Sequence, residues 1–285
     1  MSLQQIIGAA LLAAGIAFGI RILSHALKNR QVVSAENGRF SVLCLLEAPL
    51  YFCATLGISD FLLNTLVFRH LHLADDKKLP GTLCTACLVP GAVIAFSLLQ
   101  AENPVDLRTL LCCSVSIALG SAAGSRFVGK LDGAKIRKYL GYALLVSMGA
   151  LILRILLSRG TPGVLLGLSG RKLAFAVVFS FFWGAFNMLG VPMKPAGTAM
   201  FLLLGLSPLN TLTLLLVMCC IGPFGGAVPV LKSGNYHQKL VCAAVLGGSL
   251  GAVLGSLLAL SLPALVLNVL LLAVMLIAMI SIFRE

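Results

Sequence analysis

Charge is what this sequence lacks most. Only 11% of its 285 residues are charged, and just 9 are acidic. Its 21 Lys and Arg give a net charge of +12, but they fall in short segments between apolar runs rather than along one face. Nucleic-acid binding is thereby excluded, and the pattern is that of loops facing anionic lipid. Also missing are G-x-S-x-G, H-E-x-x-H, a P-loop and an Asp-rich diphosphate motif, so no known enzyme signature is present. His70 and His72 beside Asp75 and Asp76 read as a solvated loop rather than a metal site, and no cofactor is expected. The 9 cysteines are odd in number, which argues against a disulfide framework, and nearly all lie inside apolar segments as inert thiols. Cys84 and Cys87 have ligand spacing but no accompanying His or second Cys pair.

What is abundant is apolar length. Hydrophobic residues make up 59% of the chain and the mean hydropathy is +1.05, more than a soluble core can absorb. The expected class is an all-α polytopic membrane protein. Nine membrane-length segments are read at 3–23, 40–68, 80–100, 109–128, 139–157, 173–205, 209–231, 240–260 and 264–283. The first has no basic region before it and no cleavage site after Arg21, so it reads as a retained helix rather than a signal peptide.

Two halves repeat. Arg108 is followed by Gly120, Gly124 and Ser125 at offsets of 12, 16 and 17, and Lys239 by Gly251, Gly255 and Ser256 at the same offsets. Pro80 lies 23 residues after Gly57, and Pro208 lies 24 after Gly184. Two four-segment repeats are expected, 40–157 and 172–285, joined by 158–171 and preceded by an extra helix and loop at 1–39. The shared G-x-x-x-G lets helix backbones pack closely.

Each repeat opens on an interrupted segment. The first break is Gly57-Ile58-Ser59-Asp60; the second runs from Gly184 and Asn187 through Gly190 to Lys194 and Pro195. Helix breaks at membrane depth are tolerated only where protein or a wet cavity receives the freed backbone groups, and paired breaks point to a transporter's binding site. If both broken segments span, the basic residues divide 12 inside and 8 outside; if both are re-entrant hairpins, 15 and 5, with Lys194 left in the membrane in each case. The second arrangement satisfies the positive-inside rule better. Each unit then has three crossings, which makes the repeats inverted and places the N-terminus outside and the C-terminus in the cytoplasm.

Intramembrane charge marks function. Lys194, beside the helix start at Pro195, forms an expected anion site, with Thr198 one turn on. Ser59, Asn64, Thr65 and Asn187 add polar contacts, and Asp60 and Glu47 are the two candidates for a coupling proton. Lys194 pairing with Glu47 or Asp60 as structural glue is the competing reading, as is Asp60 capping the helix it begins.

The duplicated unit resembles the sulfite exporter TauE/SafE family, the toluene-sulfonate uptake permeases. The resemblance rests on the breaks, on Leu79-Pro80-Gly81-Thr82 and Leu206-Ser207-Pro208, and on the two Gly-rich helices at Gly120–Ser125 and Gly251–Ser256. It implies a secondary transporter of small organic or sulfur-containing anions in the bacterial inner membrane. Its partners would be the anion and the bilayer, with a homodimer as the candidate assembly. Members carry a glycine cluster at each break, which Gly57–Asp60 and Gly184–Asn187 replace here. An anion channel and a non-transporting scaffold are the alternatives.

Overall fold

The computed structural model describes residues 2–55, 58–100, 106–128, 165–188 and 194–258, together with a few single positions between 142 and 156. All its named elements are helical. Helix α1 (Leu3–Lys28) starts on a reciprocal cap: Gln5 N–H donates to Ser2 Oγ at 3.4 Å and Ser2 N–H to Gln5 Oε1 at 2.9 Å. Its 26 residues extend about 39 Å, enough to cross a hydrocarbon core of about 30 Å. Gly8, Gly15 and Gly19 press it against Leu99, Ala92 and Val89 of the helix at Leu88–Gln100. A short helix, α2 (Arg30–Ala35), follows.

The first interrupted segment is two helices, α3 (Phe40–Thr55) and α4 (Asp60–His70). Ser59 starts α4, its hydroxyl accepting from Leu62 N–H at 3.4 Å. At 16 residues, α3 reaches only about 24 Å. The outer ends of the two arms meet, because Asn37 Nδ2 donates to the His72 carbonyl at 3.3 Å. Then come α5 (Leu79–Ala86) and α6 (Leu88–Gln100), which together make one membrane-length run. Pro90 cannot donate to residue 86 and crowds its carbonyl, which accounts for the joint at Cys87. Helix α7 (Leu107–Val128) follows.

The second interrupted segment repeats the plan. Helix α8 (Gly170–Asn187) is followed by α9 (Lys194–Leu203). Their outer ends are tied by Leu165 N–H to the Gly205 carbonyl (3.2 Å), Ser207 N–H to the Leu165 carbonyl (3.0 Å) and Lys172 Nζ to the Leu204 carbonyl (3.0 Å). Gly205 adopts φ +95°, a turn conformation side chains resist. Helix α10 (Pro208–Ser233) has Ser207 as its cap, Pro208 in its first turn and Gly234 at φ +66° just past its end. The described chain closes with α11 (Gln238–Ala243), a π-helical turn (Ala244–Gly248) and α12 (Ser249–Leu258).

Five stretches are long and apolar enough to cross a membrane among the described residues: 3–28, 79–100, 107–126, 210–233 and 238–257. The expected segments 139–157 and 264–283 fall almost wholly outside the described residues. Leu45, Ile20, Leu119, Leu250 and Leu257 are exposed, as lipid-facing side chains would be.

The Gly-rich helices explain how the arms are held. Gly120 and Gly124 of α7 lie against the backbone of Phe181 and Ala185 in α8. Gly251 and Gly255 lie against Ala48 and Phe52 in α3. Each G-x-x-x-G thus grips the first arm of an interrupted segment, α7 on α8 and α12 on α3. A third contact in each set, Gly184 on Ile117 and Tyr51 on Gly248, falls in the same register.

That register corrects the expected alignment of the breaks. Gly184 does not break a helix. It lies inside α8, three residues before its end, and is needed for close approach to α7. Ala48, Tyr51 and Phe52 of α3 meet α12 and the turn before it as Phe181, Gly184 and Ala185 of α8 meet α7. The expected breaks at Gly57 and Gly190 lie outside the described residues. In that register Asp60 corresponds to the neighbourhood of Lys194, not to Asn187. Both Asp60 and Lys194 are the first residues of their ascending helices.

Candidate functional site

The two breaks come together. Lys194, 4% exposed, projects from the start of α9 into the gap between α3 and α4. Its ammonium lies 2.9 Å from Asp60 Oδ1 and donates to the carbonyls of Ile58 at 3.0 Å and Ala54 at 3.3 Å. The reason is electrostatic. Helix α3 ends with carbonyls that have no helical partner, so a cation there is doubly useful. Asp60 sits in the first turn of α4, where the helix dipole favours an anion, while Ser59 takes the capping role. One lysine therefore satisfies the broken backbone and neutralises the acid.

Glu47 stands in contrast. It is fully buried in α3, close enough to Asp60 for their charges to interact, yet neither carboxyl oxygen has a hydrogen-bond partner. Asn64 Oδ1, also buried, has none. The Tyr51 hydroxyl approaches the Asn64 amide but makes no hydrogen bond of acceptable geometry. Bare buried polar groups are costly, so three of them around one break mark a place that is not purely structural.

The other expected residues divide. Thr65 donates to the Phe61 carbonyl at 2.6 Å, within its own helix. Asn187 ends α8, and its carbonyl accepts from Cys84 Sγ at 3.4 Å. Pro195 and Thr198 lie in α9, with side chains outside the described residues. Of the two aromatic residues near the second break, Trp183 packs on Phe179 with ring centroids 5.0 Å apart and Phe186 is exposed. No group of three or more His, Cys, Asp or Glu that could hold a metal occurs among the described residues.

A cavity of about 10 Å³ adjoins the pair, room for roughly one water. Beside Asp60 and Lys194, its polar or polarizable walls are Tyr51, Cys87, Cys219 and Cys220. Neither Tyr51 nor the thiols were expected at the site. Their sequence context is uniformly apolar, and nothing in it says which helix face looks inward. In this conformation the hollow is closed to an anion of several atoms.

A bundle of lipid-length helices, with two helix breaks meeting over a buried ion pair, is the build of a multi-pass membrane transporter. The sulfite exporter TauE/SafE family model matches residues 66–282, and the chain belongs to that family. The match begins inside α4, so Lys194 lies within it while Glu47 and Asp60 precede it. Comparison with curated proteins and with solved structures gives no match.

Proposed function

We propose that this protein is a proton-coupled secondary transporter of small anions, sulfur-containing or organic-acid in class, such as sulfite or sulfonates. The observation that carries the reading is the Lys194 ammonium, set by the second break into the first. A cation held by an acid and two carbonyls can exchange the acid for an anionic solute. An anion that displaces Asp60 is then bound by Lys194, the α9 N-terminus, Asn64 and the polar groups of both breaks.

Of the two proton candidates, Glu47 fits the coupling role better. Asp60 is already engaged by the Lys194 ammonium. Glu47 has no partner, and a bare carboxylate there is too costly to remain ionised without one. Proton uptake by Glu47 also relieves its repulsion with Asp60, freeing the pair to reorganise around substrate.

Each interrupted segment is read as a re-entrant hairpin, since its outer ends are tied together. The two hairpins then enter from opposite faces in an inverted repeat. The end holding Arg39, Lys77, Lys78, Lys232 and Lys239 is assigned to the cytoplasm. The test is uptake of labelled sulfite into proteoliposomes. Saturable uptake that a pH gradient drives supports the reading. Non-saturating flux makes the protein a channel, and no flux of any anion makes it a scaffold. Glu47→Gln should flatten the pH profile while exchange of internal for external sulfite continues. A profile that survives the substitution moves the coupling proton elsewhere.

A further inference from the structure

The wall of the cavity beside the ion pair has an unusual composition for an oxyanion site. It holds one ammonium (Lys194) and one hydroxyl (Tyr51) as strong donors. Tyr51 is 1% exposed, and its buried hydroxyl has no hydrogen-bond partner of its own. Three thiols, Cys87, Cys219 and Cys220, make up much of the rest, with Gly91, Ile94, Leu216 and the Asp60 carboxylate that Lys194 neutralises. All three are free cysteines, and Cys87 spends its S–H on the Cys84 carbonyl at 3.3 Å.

The geometry points to Tyr51 as a substrate-binding residue and to Cys87, Cys219 and Cys220 as the residues that select anions bearing an exposed sulfur atom, such as sulfite and thiosulfate, over sulfate and phosphate. This rests on the transporter reading above.

The argument is one of donor supply. Sulfate and phosphate present four oxygens in every direction and surrender a large hydration shell on entry. Each oxygen left without a donor in a dry site is penalised. The cavity wall itself supplies two strong donors, Lys194 and Tyr51, and thiols return little because S–H is a weak donor. Sulfite and thiosulfate carry three oxygens and a polarizable sulfur. Turned with oxygens toward Lys194 and Tyr51, they place that sulfur against the thiols, where dispersion replaces hydrogen bonding. Tyr51 is poised for this, since its hydroxyl is already dehydrated and loses no existing bond when an oxygen arrives. The hollow admits an anion only once Asp60 and Lys194 separate, so binding and release of the ion pair are one event.

The experiment uses the full chain in proteoliposomes with labelled sulfite, competed by unlabelled thiosulfate, sulfate or phosphate. Wild type should prefer sulfite and thiosulfate over sulfate by about 100-fold, since a site left with unpaired polar groups discriminates at that level or beyond. Tyr51→Phe should weaken sulfite and thiosulfate alike by about 10-fold, the worth of one hydrogen bond to a charged group, and leave their ratio unchanged. The triple variant Cys87→Ser/Cys219→Ser/Cys220→Ser adds hydroxyl donors and should cut the sulfite-to-sulfate preference about 10-fold. The matching alanine variant should weaken sulfite without improving sulfate. Cys219→Ser alone, at a half-buried position, serves if the triple variant does not fold. A serine variant that carries sulfite with its preference over sulfate intact overturns the thiol assignment, and unchanged sulfite affinity in Tyr51→Phe overturns that of Tyr51. Wild type carrying none of the four anions is a different failure, that of the transporter reading itself.

Discussion

The two descending arms, α3 and α8, are gripped in the same register but by opposite choices of residue. Where α8 meets α7, the glycine is on the arm: Gly184 lets it approach Ile117 closely. Where α3 meets the turn before α12, the glycine is on the gripping side, at Gly248, and the arm supplies Tyr51. The consequence is functional asymmetry within similar geometry. The second half brings backbone to backbone, while the first pushes a phenol through to the cavity. The ascending helices differ likewise, with Asp60 heading one and Lys194 the other. Identical residues at both places would set two like charges against each other. Divergence at these positions makes a pair.

The largest effect should follow from removing one member of that pair. Lys194→Ala leaves Asp60 and two break carbonyls without their cation. It should abolish uptake and lower stability by about 3–5 kcal/mol, the range for breaking a buried pair. Thermal unfolding in detergent together with liposome uptake measures both. Lys194→Ala/Asp60→Ala should recover much of the stability and none of the transport. The exchange Asp60→Lys/Lys194→Asp asks whether the two positions are interchangeable: recovery of more than half the lost stability sharpens the correspondence. A double variant no better than Lys194→Ala breaks it.

The next effect concerns the grip. Gly120→Val and Gly251→Val each drive a side chain into a facing carbonyl, of Phe181 and Ala48 respectively. Each should cost at least about 1–3 kcal/mol, as overpacking does, and the two losses should agree within about 1 kcal/mol if the halves are built alike. A wide disparity in melting temperature would limit the likeness to sequence spacing. Exchanging the sides, with Gly248→Ala beside Gly184→Ala, should hurt both contacts, since Tyr51 and the Ile117 backbone stand in the way.

How much of this could be read beforehand follows from what each signal depends on. Membrane class, the two breaks and the G-x-x-x-G helices are one-dimensional patterns, and composition and spacing carry them. Lys194, Asp60 and Glu47 were recognisable because charge in an apolar run is conspicuous. The matching of breaks was not. Gly57 and Gly184 lie 23 and 24 residues before Pro80 and Pro208, but helix contacts, not spacing, set the register, and they place Gly184 within α8. The partner of Lys194 could not be chosen either, because Glu47 and Asp60 lie on one segment and only folding decides which carboxylate the ammonium reaches. Tyr51 and the cavity thiols carry no sequence mark at all, since apolar runs are silent about which face turns inward.

The smallest effect lies at the far end of the first hairpin, outside the membrane-spanning helices. There Glu36 accepts from Gln238 N–H at 3.0 Å and Lys239 N–H at 2.6 Å, capping α11 from across the chain. His237 Nε2 accepts from Asp75 N–H at 3.1 Å, which requires the ring to be neutral there, with its other nitrogen 3.6 Å from Glu36. Burial lowers the His237 pKa below its usual value near 6.5; Glu36 and Asp75 oppose the shift, and Lys78 adds to it. A lowered pKa means the unfolded chain binds the proton more readily. Stability contributed by neutral His237 is therefore complete above about pH 6.5 and declines as pH falls toward the folded-state pKa. The melting temperature should drop between pH 7.5 and 5.5, and His237→Gln should remove that part of the slope while leaving sulfite uptake at pH 7.5 near wild type. The second hairpin is tied at its base by backbone bonds and a lysine, with no histidine, so its closure should ignore this pH range. Hydrogen exchange at Asp75 and at Leu165 separates the two ties: protection lost at Asp75 alone on acidification supports the difference, and equal loss at both would assign the pH response to something the hairpins share.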